Sequence, residues 1–335
     1  MALAGRRGSL VSCRMSNLQG QALRLRGAFV LLLILCGCTG PAAGTDSAAA
    51  GDELPFTFLI ASDTHYGVHD SVTAFNREII EAMNRLPDTP YPDRIGGVVE
   101  MPRGLLITGD LTEDGHAEEW EAFVAELGLD GDAALRYPVY EGFGNHDGPV
   151  DGPVRSGIRA RNEHRPGVTN VSENGLHYSW VWGDVHFVSL NSYPSYAWDP
   201  ECEWCHYFTR SFREPEESLQ FLEEDLRERV GDSGRQVILY FHYGFDDWGR
   251  VWWTDAERHD FHAVIANYDV LAIFHGHSHN IQFSDWRGIP VFCVGSTQKA
   301  AGPGEYMVVR VTADSLYVAE RHLSDWGETA VLPRR

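Results

Sequence analysis

Five short clusters in this 335-residue chain carry side chains able to bind metal or move protons. In order they are Asp63-Thr64-His65, Gly109-Asp110, Gly144-Asn145-His146-Asp147, the lone His242, and Gly276-His277-Ser278-His279. Carboxylates, imidazoles and one amide make up the set. Mixed oxygen and imidazole donors suit Mn, Fe or Zn better than Ca or Mg, and the scarcity of cysteine argues against a structural zinc site. Asp63 and His65 lie two residues apart, as do His277 and His279. In an extended segment each pair would face one way, with Ser278 pointing off. One such pair is weak evidence, since His-x-His arises often by chance. Five clusters that all follow strands are a strong signal.

The elements that must position them are legible as periodicity. Apolar runs read as strands at Phe56–Ala61, Leu105–Thr108, Val139–Phe143, Gln236–Phe241 and Leu271–Phe274, and one cluster directly follows each. Each cluster is therefore expected on a loop at a strand's end, the edge where open α/β sheets bind ligands. Glycine at three of them allows close backbone approach. Val72, Phe75, Ile79, Met83 and Leu86 have helical spacing after Asp70-Ser71, and Trp120, Phe123, Val124 and Leu127 mark a second helix. His177–Trp182 and Val185–Leu190 read as a hairpin closed at Gly183-Asp184. Pro215 opens a helix with Leu219, Leu222, Leu226 and Val230 on one face. Thr254 and Glu257 form a capping box for another, with Phe261, Val264, Ile265 and Tyr268 inward. Early strand-helix alternation and late strand-rich stretches predict mixed sheets with outer helices. There is no internal repeat.

The pattern D-x-H, G-D, G-N-H-D, a lone H and G-H-x-H, spread over residues 63 to 279, resembles the calcineurin-like metallophosphoesterase family. Gly109-Asp110-Leu111-Thr112, the following Asp114-Gly115 and the Gly-His-Ser-His ending look most like its cyclic-nucleotide and phosphodiester branch. The resemblance implies an α/β fold: a four-layer α-β-β-α sandwich of two mixed sheets flanked by helices. It also implies two transition-metal ions (Mn, Fe or Zn) about 3.5 to 4 Å apart. Carried over residue by residue, Asp63, His65 and His279 would hold the first ion, and Asn145, His242 and His277 the second. Asp110 would bridge both. His146 would be the general acid, with Asp147 orienting it.

The implied reaction is metal-dependent hydrolysis of a small phosphate ester. A hydroxide formed on the ions would attack, and His146 would protonate the leaving oxygen. A phosphodiester is the first expectation, with a phosphomonoester or pyrophosphate second. The rival is a surface binding module that keeps the fold without turnover. Such a module would be expected to have lost a ligand, and no signature position is missing. The departures are in length: 47 residues separate Asp63 from Asp110, with Asp88 to Arg103 as extra loop, and 97 separate Asn145 from His242.

Composition is that of a globular protein, 43% hydrophobic and 22% charged. Forty-eight acids against 27 bases give a formal charge of -21, which excludes a broad nucleic-acid footprint. Residues 1–37 hold five arginines and no acid, with an apolar run from Ala28 to Cys36. That run is too short for the roughly 20 residues a membrane span needs but suits a secretory signal, whose start could be Met1 or Met15. Leu35-Cys36-Gly37-Cys38 resembles a bacterial lipobox, so Cys38 is expected to carry lipid and hold an exported protein at a membrane. An ordinary cleaved signal or a weak anchor is the alternative. Residues 38–53 read as a flexible tether and 54–335 as the catalytic domain.

Several features are open to two readings. Cys202 and Cys205 read as a local disulfide in an aromatic-rich segment, Tyr193 to Arg213, expected to cover part of the site mouth. Cys293 reads as a buried hydrophobe. Arg155, Arg159, Arg161 and Arg165 could hold a second phosphate, but a solvated basic face is the plainer expectation. Phe245, Trp248, Trp252 and Trp253 either wall a substrate pocket or pack. His275 reads as structural, and His69 and His116 as surface residues. Asn170-Val171-Ser172 fits a glycosylation pattern, which would mean little if the chain is bacterial, as the lipobox-like residues suggest.

Overall fold

A computed structural model describes residues 54–197, 214–245, 252–299 and 301–334. The leader 1–37, the tether with Cys38, the Cys202/Cys205 pair and Trp248 lie outside the described residues. The strands, in chain order, are β1 (Phe56–Ala61), β2 (Pro102–Ile107), β3 (Val139–Glu141), β4 (Val168–Val171), β5 (Tyr178–Trp182), β6 (Val185–Ser189) and β7 (Gln236–Tyr240). They continue as β8 (Val270–His275), β9 (Gln282–Trp286), β10 (Ile289–Cys293), β11 (Gln298–Lys299), β12 (Gly302–Pro303), β13 (Tyr306–Val311), β14 (Ser315–His322) and β15 (Asp325–Pro333). The helices are α1 (Asp70–Asn84), α2 (Ala117–Leu127), α3 (Pro153–Asn162), α4 (Ser218–Asp225) and α5 (Asp255–Ile265). No helix among the described residues is long and apolar enough to cross a membrane.

Two large sheets form, ordered β15-β14-β13-β1-β2-β3 and β4-β5-β6-β7-β8-β10-β9. Alternation along single strands shows how they stack. Phe56, Phe58 and Ile60 of β1 point into the same apolar cluster as Trp180, Phe187, Ile238 and Phe274 of the other sheet. Leu59 and Ala61 point the opposite way, onto Ile79 and Met83 of α1 and Phe123 of α2. Val237 and Leu239 of β7 pack outward on Leu219, Leu222 and Phe261 from α4 and α5. Three apolar interfaces therefore separate four layers, α-β-β-α, as expected. Strands buried on both faces carry continuous apolar runs rather than alternating ones, which is why they were legible.

The hairpin at Gly183-Asp184 and the Thr254/Glu257 capping box both form. Periodicity had not marked α3 or the edge strand β4. The helix after Pro215 starts only at Ser218 and ends in a π-helical turn, Leu226–Val230. The glycosylation pattern falls on β4, where the Asn170 amide is committed to Asp225 Oδ1 at 2.7 Å.

Candidate metal centre

Strands β1, β2 and β3 run parallel in one sheet, and β6, β7 and β8 run parallel in the other. The loops after β1, β2 and β3 bring Asp63, His65, Asp110, Asn145 and His146. Those after β7 and β8 bring His242, His277 and His279. Neither sheet alone supplies the set.

Asp63, His65, Asp110 and His279 place ligand atoms within 4.8 Å of one another, and so do Asp110, His242 and His277. Asp110 belongs to both groups. His65 Nε2 is 3.1 Å from His279 Nε2 and 3.9 Å from both Asp63 Oδ1 and Asp110 Oδ2. His242 Nε2 is 3.2 Å from Asp110 Oδ2 and 3.1 Å from Asn145 Oδ1, which adds the amide to the second group. Donors about 2.0–2.2 Å from one ion lie roughly 3.0–3.5 Å apart at adjacent positions and up to about 4.4 Å apart across it, so separations of 3.1 to 3.9 Å are compatible with shared ions. Asp63 provides the sharper test. The Ser62 hydroxyl and the His277 N–H (3.1 Å) both donate to its Oδ2. Its Oδ1 is buried and faces His279 Nε2 at 3.3 Å without a well-aligned hydrogen bond. A fully buried carboxylate oxygen without a well-aligned donor is costly unless a cation, a protonated imidazole or a metal ion, completes it.

The backbone is strained where the candidate ligands sit. Asp63, His65, Asp110, His277 and His279 all have positive φ, between 41° and 73°. This corrects the expectation that each two-apart pair faces one way because its segment is extended. Both members of each pair are left-handed, at a cost on the order of 1–3 kcal/mol per residue. Cross-loop bonds hold the turn, with Asp63 N–H on Gly109 O (3.0 Å) and His65 N–H on Asp110 O (3.1 Å). His277 and His279 accordingly fall in different groups. The glycines serve approach: a Cβ on Gly144 would sit 2.3 Å from Asp110 Oδ1, and one on Gly276 1.9 Å from Ser62 Oγ.

Electrostatics follow this crowding. Burial raises Asp63, but His279 and His242 outweigh it and hold the carboxyl at about 2. Asp110 is likewise buried and is held well below the usual carboxylate range by His242, His146 and His65. Burial lowers His242, yet Asp110 carries it up to about 9. His277 is pushed down to about 3 by burial and by neighbouring His242. Two anionic carboxylates among imidazoles are what a cation pair needs.

His146 lies beside the first group, its ring centroid 4.8 Å from that of His65 and its side chain 37% exposed. Its orienting partner is not Asp147. The ring Nδ1 donates to the main-chain carbonyl of Glu113 at 2.7 Å. Asp147 is buried, and its carboxylate accepts from the N–H groups of Leu111, Thr112 and Gly144 and from the Thr112 hydroxyl. It ties two ligand loops together, because backbone donors left over at those tight turns need a buried acceptor. Burial and Asp110 raise it to about 6.

Glu113 was missed in the sequence. It stands three residues after Asp110, where a carboxylate reads as loop polarity, and only the fold brings its Oε2 within 2.7 Å of His65 Nδ1.

The four arginines are neither substrate ligands nor a solvated face. Arg161 and Arg165 are bonded to Glu141, Arg155 is fully buried against Glu216 and the Phe143 ring, and Arg159 serves two carbonyls. Burial raises Glu141, but Arg161 and Arg165 outweigh it and hold it at about 2. Trp253 and Phe245 pack in the outer core, while Trp252 abuts His277, ring centroids 5.3 Å apart. His275 and Cys293 are buried. His69 and His116 are exposed at helix starts. Asp114, His116 and Glu119 also cluster, but Glu119 is spent accepting the N–H groups of Asp114 and His116.

A sequence profile of the calcineurin-like phosphoesterases matches residues 56–280. The chain belongs to that family. The match contains every candidate ligand position above, and the protein is accordingly a metallophosphoesterase, a phosphoric ester hydrolase of a family that binds two metal ions. Among solved structures, a dimetal phosphatase from Danio rerio is similar at a TM-score of 0.58 and 15% identity, over 83% of this chain and 98% of that one. Purple acid phosphatase PPD1 from yellow lupin (Lupinus luteus) seeds gives 0.54 and 15%, over 85% of this chain and 55% of its own. GAP50, described as the anchor in the inner membrane complex of Plasmodium, gives 0.52 and 9%, over 84% and 89%. At such identities these likenesses are of fold alone. No curated protein matches the chain.

Proposed function

We propose that this metallophosphoesterase hydrolyses a small phosphodiester. Asp63, His65 and His279 would hold one ion and Asn145, His242 and His277 the other, with Asp110 common to both. The observation that carries the reading is Asp110's membership of two adjoining ligand groups, with His146 at their exposed side. Mixed carboxylate, amide and imidazole donors suit Mn, Fe or Zn. When bound, two such ions supply Lewis acidity, offsetting phosphoryl charge and making water nucleophilic near neutrality.

The chain's own groups do the rest. A carbonyl only accepts, so His146 carries a proton on Nδ1, and a second proton on Nε2 can pass to the leaving oxygen. Burial lowers His146, but Asp110, the Glu113 carbonyl and Glu113 raise it above its ordinary value, which favours the protonated acid. The Ser62 and His277 donors leave Asp63 only Oδ1 to offer.

A diester is favoured over a monoester on charge. Glu113, 31% exposed, keeps a carboxylate oxygen 3.8 Å from His146 Nδ1, and the negative net charge of the chain repels dianions more than monoanions. The test is to strip the purified protein, restore Mn, Fe or Zn, and compare bis(p-nitrophenyl) phosphate with p-nitrophenyl phosphate. Higher kcat/KM on the diester supports the reading, and the reverse assigns a monoesterase. Bound metal without turnover on any ester would indicate a binding module.

The location is a proposal as well. The lipobox-like residues 35–38 support export and a lipid on Cys38, and Cys38→Ala should then release the protein from membranes with its activity intact.

A further inference from the structure

Glu113 makes two contacts that converge on the site from one residue. Its carboxylate Oε2 lies 2.7 Å from His65 Nδ1, and its main-chain carbonyl takes the Nδ1 proton of His146 at 2.7 Å. His65 is buried and, among the described residues, its Nδ1 bonds to Glu113 alone, whereas its Nε2 faces Asp63, Asp110 and His279. A carboxylate accepts only, so the proton of a neutral His65 resides on Nδ1 and the Nε2 lone pair is left facing the ligand group. The same element fixes the neighbouring imidazole, and the two rings pack edge to face.

We infer that Glu113 is a positioning residue, whose side chain holds His65 in its metal-binding tautomer while its backbone holds His146 in its acid tautomer. The inference rests on the proposed ligand set. Its two halves separate cleanly, because substitution removes the carboxylate and keeps the carbonyl. Glu113→Gln can donate to Nδ1 and turn the Nε2 lone pair into an N–H. Outer partners of metal-bound histidines typically carry 10- to 100-fold in affinity.

The experiment is calorimetric titration of Mn into the stripped full-length protein, for wild type, Glu113→Gln, Glu113→Ala and Asp110→Asn. The expected result is two ions in wild type and, in both Glu113 variants, one ion weakened about 10- to 100-fold with the other near wild type. Turnover should recover only in part at saturating Mn, since His146 keeps its carbonyl but loses the Glu113 carboxylate 3.8 Å from Nδ1. The melting temperature of the metal-free Glu113 variants reports folding, and agreement between the isosteric and truncated forms excludes a packing effect. Unchanged affinity for both ions in the Glu113 variants, with wild type binding two, overturns this inference alone. No Mn bound by wild type overturns the ligand set and this inference together.

Discussion

Asp147 Oδ1 accepts hydrogen bonds from both the N–H and the hydroxyl of Thr112, each at 2.9 Å. The carboxylate thus joins the loop after β3 to the loop after β2, and its effect on His146 passes through that junction. Asp147→Ala would strand the buried N–H groups of Leu111, Thr112 and Gly144. The expected loss, by urea unfolding, is upward of about 3 kcal/mol. Any surviving turnover should keep the wild-type dependence on leaving group. A stable variant with altered leaving-group dependence would instead restore Asp147 as the partner of His146.

His146→Ala should retain metal, because the ring belongs to neither ion's proposed ligand set. Turnover of esters with poor leaving groups should fall by roughly 10²- to 10⁴-fold. Nitrophenolate needs no proton, so esters of nitrophenol should lose much less. Equal losses on the two kinds of substrate would remove the acid role.

Asp110→Asn should empty both sites and Asp63→Ala mainly one, since only Asp110 reaches both ligand groups. Elemental analysis after dialysis distinguishes them. Two ions retained in Asp110→Asn would contradict the shared position.

Glu141 ties β3 to α3 and the turn after it through bonds of 2.6 to 2.8 Å from Arg161 and Arg165. Its folded-state pKa, about 2, lies below the ordinary 4.5. A depressed acid stabilises the fold above its unfolded pKa and loses that contribution as pH falls from about 4.5 toward 2. The amount is on the order of 3 kcal/mol. Glu141→Gln should destabilise by about 3–5 kcal/mol near neutrality, through two uncompensated arginines. The gap between the two proteins should narrow on acidification between pH 5 and 3, read by urea midpoint. A constant gap would show that the pair titrates elsewhere.

Residue type and local spacing determined much of this protein in advance. Apolar runs followed by Asp63, Asp110, Asn145, His242 and His277 named the strands, and the chemistry after each named side chains that the fold brings together. Both are local signals: a doubly buried strand must be apolar along its length, and a metal ligand must be Asp, Asn or His whatever surrounds it. The hairpin at Gly183-Asp184 and the Thr254/Glu257 cap were legible for the same reason.

Partner choice was not legible. Asp147 stands next to His146 in the chain, yet the ring bonds to the carbonyl of Glu113, 33 residues away. Arg161 and Arg165 read as a solvated face until β3 brings Glu141 beneath them. The left-handed backbone at Asp63 and His279 left no trace in residue type, since neither is glycine. A hydrogen bond or ion pair goes to whichever complementary group the packing brings within about 3 Å, and sequence adjacency does not measure that distance. The candidate ligand set was therefore legible in the sequence, while its orientation, its strain and the contacts of Glu113 were decided by two sheets meeting at one edge.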